Sequence, residues 1–185
     1  MFLPSPTPPE PSGVTYLDIM APIYVGIGEQ DVGEVSYLPD DADISSLTIT
    51  SSDSGILSIV QDADSKAYFT YEGISEGTAT ITATCGDVTT TTSVEVTSEV
   101  KELYIPIEEI LIVGEEGECS VDYIPSNVDI STMTITSSDS SVLSVTQDVD
   151  LKSLFTFNAL AEGTAEVTAT CGDVTTSVSV EVTAE

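Results

Sequence analysis

The chain has 185 residues, of which 32 are Asp or Glu and only 3 are Lys or Arg, so its formal net charge at pH 7 is −29. This balance excludes nucleic acid as a partner, because phosphate binding requires clustered cations, and it disfavours an anionic membrane surface for the same reason. No apolar run approaches the roughly 20 residues that span a bilayer, and we expect no membrane partner.

The first thirteen residues, MFLPSPTPPEPSG, are rich in proline and cannot form a core of their own. We predict an extended arm over residues 1–13. Its anchoring residues are predicted to be Phe2, Leu3, Pro4, Pro6, Pro8, Pro9 and Pro11. Proline lowers the entropy lost on docking, so the arm is expected to lie on its own sandwich, on a second copy or on a larger assembly. The stretch lacks the basic and apolar regions of a secretory signal, and synthesis in the cytoplasm is expected if Met1 is the natural start.

Alternating apolar and polar residues predict β-strands along the first half of the chain. The first strand region, Tyr16–Ile27, is interrupted by Pro22, which fits an edge strand that switches between two sheets. The strands predicted after it are Val35–Leu38, Leu47–Thr50, Ile56–Val60 and Ala67–Tyr71. No stretch shows helical periodicity.

The nine residues TATCGDVTT occur twice, at 82–90 and at 168–176. In both places alternating strands lead into and out of a Gly-Asp pair. Gly followed by Asp suits a two-residue type II′ hairpin turn. We therefore predict one β-hairpin with its tip at Gly86-Asp87 and another at Gly172-Asp173.

The hairpins are part of a longer internal repeat. Thr48–Glu99 aligns with Thr134–Glu185, and about two thirds of the aligned positions are identical. Thr48 and Thr134 are 86 residues apart, and a repeat with this period exceeds the ~20–50 residues of solenoid units and matches a small domain. We predict Ig-like domains over residues 14–98 and 99–185 after the arm. About seven short strands in each copy are typical of an immunoglobulin-like β-sandwich, so the predicted fold class is all-β.

Several segments of both copies resemble the bacterial Ig-like domain of group 2. They are LTITSSDSGILSI, EGTATITATCGD and TTSVEVT in the first copy, with MTITSSDSSVLSV and EGTAEVTATCGD in the second. The Gly-Glu pair typical of that family stands at Gly28-Glu29 and again at Gly114-Glu115. The resemblance covers roughly residues 14–98 and 101–185. It implies binding or display rather than catalysis, as in cell-surface adhesins and phage virion proteins, although fold alone does not determine function.

The three cysteines are interpreted mainly as small buried hydrophobic residues. Cys85 and Cys171 occupy equivalent inward-facing strand ends, whereas Cys119 has no counterpart, because Gly33 stands there in the first copy. A bond between Cys119 and Cys171 is geometrically conceivable, but disulfides are rare in proteins made in the cytosol. Without His or a CxxC pair we expect no zinc site.

Acidic residues cluster in three loops, around Asp40–Asp43, Asp62–Asp64 and Asp148–Asp150. Calcium prefers several oxygen ligands in one loop, but an Asp-x-Asp pair is a weak signal, and solvated loops are the favoured interpretation. We predict no metal site, no cofactor and no catalytic residue, since the sequence has no His base, nucleophile elbow or phosphate loop.

These observations predict a non-enzymatic structural or display protein of a bacteriophage virion, decorating the head or the tail. The predicted partners are a phage capsid or tail protein, bound through the arm or the first domain, a second copy of the chain, and surface glycans bound by the outer domain. The predicted location is the virion surface. The alternatives left open are a bacterial cell-surface adhesin or filament subunit and a calcium-stiffened spacer.

Overall fold

The computed structural model describes residues 13–184, so the predicted arm residues from Phe2 to Pro11 lie outside the described part. Residues 13–184 form strands and loops without a helix, which confirms the all-β prediction. Accordingly, this part of the chain contains no helix that could cross a bilayer. The chain divides into two compact units, called here the first repeat, which ends at Val96, and the second repeat, which begins at Thr97.

The first repeat is a sandwich of two four-stranded sheets. Its strands are β1 (Tyr16–Met20), β2 (Tyr24–Gly26), β3 (Gln30–Leu38), β4 (Thr48–Ser51), β5 (Leu57–Gln61), β6 (Tyr68–Gly73), β7 (Gly77–Cys85) and β8 (Val88–Thr97). One sheet has the order β1-β3-β6-β5 and the other the order β2-β8-β7-β4. This is the two-layer arrangement expected for an immunoglobulin-like fold.

The interruption at Pro22 acts as predicted. β1 pairs antiparallel with β3 in one sheet, whereas β2 lies beside β8 in the other. The backbone N–H of Glu95 in β8 donates to the carbonyl of Ile23, just before β2, at 2.8 Å. Proline has no backbone N–H to donate to a β-ladder, so the break between the sheets falls at a residue where no donated hydrogen bond is lost.

β3 is longer than the predicted Val35–Leu38, since it begins at Gln30. The sequence pattern does not predict a strand for the added residues, because apolar and polar side chains do not alternate there. Pairing with β6 overrides that local pattern: Gln30 lies opposite Glu72 and Glu34 opposite Tyr68. Strand propensity depends on such context, so the shorter prediction was wrong for a tertiary reason.

The second repeat has the same layers with one strand divided. Its strands are β9 (Glu102–Tyr104), β10 (Ile110–Ile112), β11 (Glu116–Ser120), β12 (Asp122–Ile124), β13 (Thr134–Ser137), β14 (Leu143–Gln147), β15 (Leu154–Ala159), β16 (Gly163–Cys171) and β17 (Val174–Thr183). One layer is β10-β17-β16-β13, and the other contains β11-β15-β14 and the pair β12-β9. β11 and β12 together correspond to β3. At the break, the N–H of Val121 donates to the carbonyl of Ser153 at 2.8 Å, as that of Val35 does to Ala67 in the first repeat.

Each repeat encloses its own hydrophobic core. Leu57 and Phe69 are buried at the centre of the first, and Leu143 and Phe155 at the centre of the second. Truncating such a leucine to alanine costs about 2–5 kcal/mol. The alternating pattern of the strands therefore fills two separate interiors.

Both predicted hairpin turns are confirmed. Cys85 pairs with Val88 across Gly86-Asp87, and Cys171 pairs with Val174 across the equivalent turn. Gly86 has φ +59°, whereas no described residue other than glycine has a positive φ. A positive φ at the first central position alone is the signature of the type II′ turn.

Candidate functional site

The carboxylates of the acidic loops accept hydrogen bonds from the backbone of their own turns. Asp62 Oδ1 accepts from the N–H groups of Asp64 at 2.9 Å and Ser65 at 2.6 Å. Asp148 Oδ1 accepts from Asp150 and Leu151, both at 2.8 Å. These backbone donors lower the pKa of both carboxyls. The acids thus shape their loops as Asx turns, and no group of three candidate metal ligands occurs within residues 13–184.

A half-buried glutamine ties each of these loops to the neighbouring strand. Gln61 Nε2 donates to the carbonyls of Leu47 at 3.0 Å and Lys66 at 2.6 Å, while its Oε1 accepts from the N–H of Ile49 at 3.3 Å. Gln147 makes the equivalent three bonds in the second repeat. Sequence reasoning did not single out this residue. The available signal was its recurrence at the same place in both copies, directly before Asp.

The Gly-Glu pairs of the family pattern close the turn that precedes the long strand. Gly28 has φ +78°, which favours glycine. The carboxylate of Glu29 accepts from the N–H of Gly26 at 2.7 Å. In the second repeat Glu115 accepts in the same way from Ile112 at 3.0 Å. These residues therefore have a structural role at the predicted position.

The three cysteines are buried free thiols. Cys85 lies 3.4 Å from the Ser46 hydroxyl, and the equivalent Cys171 lies against Thr132. Burial raises the pKa of the Cys119 thiol, which lowers its thiolate fraction and hence its reactivity. The structure contains no bond between Cys119 and Cys171, and all three behave as the small hydrophobic residues predicted.

Hydroxyl side chains lie on the outer face of strands β4, β7 and β8 in the first repeat and of the equivalent strands β13, β16 and β17 in the second. Thr84 and Thr89 face each other across β7 and β8 with their hydroxyl oxygens 3.1 Å apart. The equivalent Thr170 and Thr175 are 3.0 Å apart. Cross-strand hydroxyl pairs of this kind stabilise exposed sheet faces, so this layer is alike in the two repeats.

The opposite layer differs between the repeats. On the outer face of the first repeat, Met20, Val32, Val60 and Tyr68 are between 44% and 64% exposed. In the cross-strand register Glu34 lies between Met20 and Tyr68, and Thr70 lies between Val32 and Val60. A hydrogen bond to Glu34 raises the pKa of Tyr68. The centre of this face therefore carries four exposed apolar side chains that are separated across the strands by Glu34 and Thr70.

The middle of the equivalent face of the second repeat is polar. Glu118 stands where the first repeat has Val32, and Thr146 stands where it has Val60. Together with Glu116, Ser144 and Asn158 they line an open recess of about 580 Å³. Carboxylate, hydroxyl and amide groups converge there on one surface, so this face can hydrogen-bond a hydroxyl-rich ligand.

Each repeat has two sheets packed face to face, and its first strand region is divided so that one strand joins each sheet. The described pairs are antiparallel except for β10 with β17, which are parallel. This arrangement defines each repeat as an immunoglobulin-like domain. Residues 105–182 match the family model of the bacterial Ig-like domain (group 2), which confirms the family predicted from the sequence for the second repeat.

Solved structures with similar architecture include domains 5–6 of the S-layer protein SbsC, at 17% identity and TM-score 0.41, over 92% of this chain and 98% of that one. A longer SbsC fragment, residues 31–844, matches at 17% identity and TM-score 0.42, over 95% of this chain and 28% of that one. The titin domains Z1Z2, solved with telethonin, match at 16% identity and TM-score 0.35, over 91% and 96%. No curated protein sequence matches the chain.

Proposed function

We propose that this protein is a non-enzymatic structural and display module on the surface of a bacteriophage virion, on the head or the tail. The observation that carries the proposal is the difference between the two outer faces described above. One repeat presents apolar side chains around Met20 and Val32, and the other presents polar groups around Glu118 and Thr146. Exposed apolar patches mark interaction surfaces, whereas a polar, acidic face is suited to solvent.

In this proposal the first repeat, or the arm before it, attaches to a capsid or tail protein. The second repeat is displayed, and its recess lined by Glu116, Glu118 and Asn158 binds surface glycans, because carboxylates and amides pair with sugar hydroxyls. The charge of −29 supports the display role, since it opposes nonspecific association.

The test is co-purification. Phage particles purified from the producing bacterium are expected to carry the protein at a constant copy number per particle, measured by quantitative mass spectrometry. A chain lacking residues 1–13 measures the contribution of the arm. Particles without the protein, from a culture that contains it, would contradict the proposal.

A second candidate is a bacterial cell-surface adhesin or filament subunit, favoured by the match of residues 105–182 to a domain family described as bacterial. The same fractionation separates the two. Recovery in the cell-envelope fraction of cells that carry no phage supports the surface protein, and recovery in the particle fraction supports the virion protein.

A further inference from the structure

We propose that Gln61 and Gln147 each cover the free edge of a sheet, so that the strand at that edge does not pair with a second copy of the chain. The strand is β4 in the first repeat and β13 in the second, and each stands at one end of its sheet. The proposal concerns association between copies and goes beyond the proposed function. Either can therefore fail alone.

Strand β4 has a paired side and an open side. The paired side faces β7, and the N–H of Ser52 points to it, since that group donates to the carbonyl of Thr80 at 2.9 Å. Because backbone groups alternate between the two sides of a strand, the N–H of Ile49 points to the open side. Unpaired backbone groups on such an edge are a template for another strand.

The side chain of Gln61 occupies this open side. Gln61 is the last residue of β5, which belongs to the other sheet. Its Nε2 donates to the carbonyl of Leu47 at 3.0 Å, and its Oε1 accepts from the N–H of Ile49 at 3.3 Å. A side-chain amide offers a donor and an acceptor as a peptide group does. Gln61 therefore takes the backbone groups that an incoming strand would need.

A third hydrogen bond fixes the direction in which the amide faces. Nε2 also donates to the carbonyl of Lys66 at 2.6 Å, so the NH₂ group lies between two carbonyls and the amide oxygen is left for Ile49. If the amide turned over, its oxygen would face both carbonyls and all three hydrogen bonds would be lost. The acidic loop thus holds the amide against the edge.

The second repeat covers its edge in the same way. Gln147 donates to the carbonyls of Met133 at 2.9 Å and Lys152 at 2.6 Å, and it accepts from the N–H of Ile135 at 3.3 Å. The outer faces of the two repeats differ, whereas this arrangement is the same in both. That is expected if both edges have to be kept closed.

The partner that best fits an uncovered edge is the same edge of a second copy. β4 and β13 have the same sequence, Thr-Ile-Thr-Ser, which is rich in β-branched residues that favour strands. The net charge of −29 opposes association in general, but neither strand contains an acid that would oppose pairing locally. Two identical strands can pair antiparallel about a two-fold axis, so one uncovered edge would give a closed dimer.

The test compares the full-length chain with the variant Gln61→Met, because methionine is unbranched like glutamine but has no amide. We expect the molar mass from light scattering to double with rising concentration in the variant and not in the parent. The Ile49 amide should lose its protection from hydrogen exchange in the dilute variant and regain it in the dimer. The Ile135 amide, held by Gln147 in the same chain, should exchange as in the parent throughout.

Two further variants distinguish an uncovered edge from a loss of stability. Gly33→Ala places a methyl group against the Phe69 ring in the other sheet, so it should destabilise the first repeat and leave the molar mass unchanged. Adding Thr50→Lys to Gln61→Met puts a charge on the exposed side of the edge strand, which opposes pairing. It should restore the molar mass of the parent. Circular dichroism verifies that each variant is folded.

Three results would overturn the proposal. One is an unchanged molar mass for folded Gln61→Met. Another is equal association of Gly33→Ala, because instability would then be the cause. The third is association that persists with Thr50→Lys, because a different surface would then pair. Gln147→Met repeats the experiment in the second repeat with the roles of the two reporting amides exchanged, and it must give the same result.

Discussion

Replacing Gln61 with alanine removes the link between the acidic loop and β4 in the first repeat. The change deletes three hydrogen bonds, to Leu47, Lys66 and Ile49. Each contributes about 1 kcal/mol, and a buried partner left unpaired costs about 1–3 kcal/mol. Because the side chain is half-buried, water recovers part of this cost. We expect the loss of all three hydrogen bonds to lower the free energy of unfolding by about 3 kcal/mol.

Differential scanning calorimetry of the full chain measures the effect. About 3 kcal/mol lowers the melting temperature of a domain of this size by about 12–24 °C, so we expect the first repeat to melt earlier while the second is unchanged. Gln147→Ala should reverse the pattern. Gln30→Ala, at an exposed position of β3, is the matched control and should cost less than about 0.5 kcal/mol. If Gln61→Ala shifts melting no more than Gln30→Ala does, the assigned role of the amide is wrong.

Three further predictions concern pH and packing. The pKa of Asp148 is lowered in the folded protein. Its ionised carboxylate therefore stabilises the second repeat at pH values above the ordinary pKa of about 3.9, and this contribution is lost as the pH falls through the lowered pKa. Asp148→Asn should flatten the decline in melting temperature of the second repeat between about pH 5 and pH 2.5. Burial raises the pKa of Tyr71 to about 12, so its contribution is present below about pH 10 and lost as pH rises towards that value. Tyr71→Phe, which copies Phe157 of the second repeat, should remove this alkaline loss in urea unfolding at high pH, and an unchanged loss would refute the assignment. Gly33→Ala should cost about 1–3 kcal/mol, measured by denaturant titration, because its methyl group would overlap the Phe69 ring; an unchanged midpoint would show that the ring moves aside freely.

The sequence was most informative where structure depends on neighbouring residues. The Gly86-Asp87 turn requires a positive φ at one position, and glycine supplies it. The sheet switch near Pro22 follows from the missing proline N–H. Both could be predicted because the cause lies within a few residues of the effect.

Features that depend on distant residues were missed or shortened. The bonds of Gln61 reach a carbonyl fourteen positions earlier in the chain, which no periodicity reveals. The start of β3 at Gln30 depends on pairing with β6. The contrast between Val32 and Glu118 was visible in the aligned copies, but only the strand register places Val32 and Val60 on one face, with Thr70 between them.

The central claim of the proposal is that the two equivalent sandwiches have different roles: the first repeat attaches to a capsid or tail protein, and the second repeat is displayed on the particle surface. Antibodies raised separately against residues 14–98 and 99–185 test it on intact particles. The account predicts that both bind the free protein, whereas on particles only the antibody against residues 99–185 binds. Particles that are bound by the antibody against residues 14–98, and not by the antibody against residues 99–185, would contradict it.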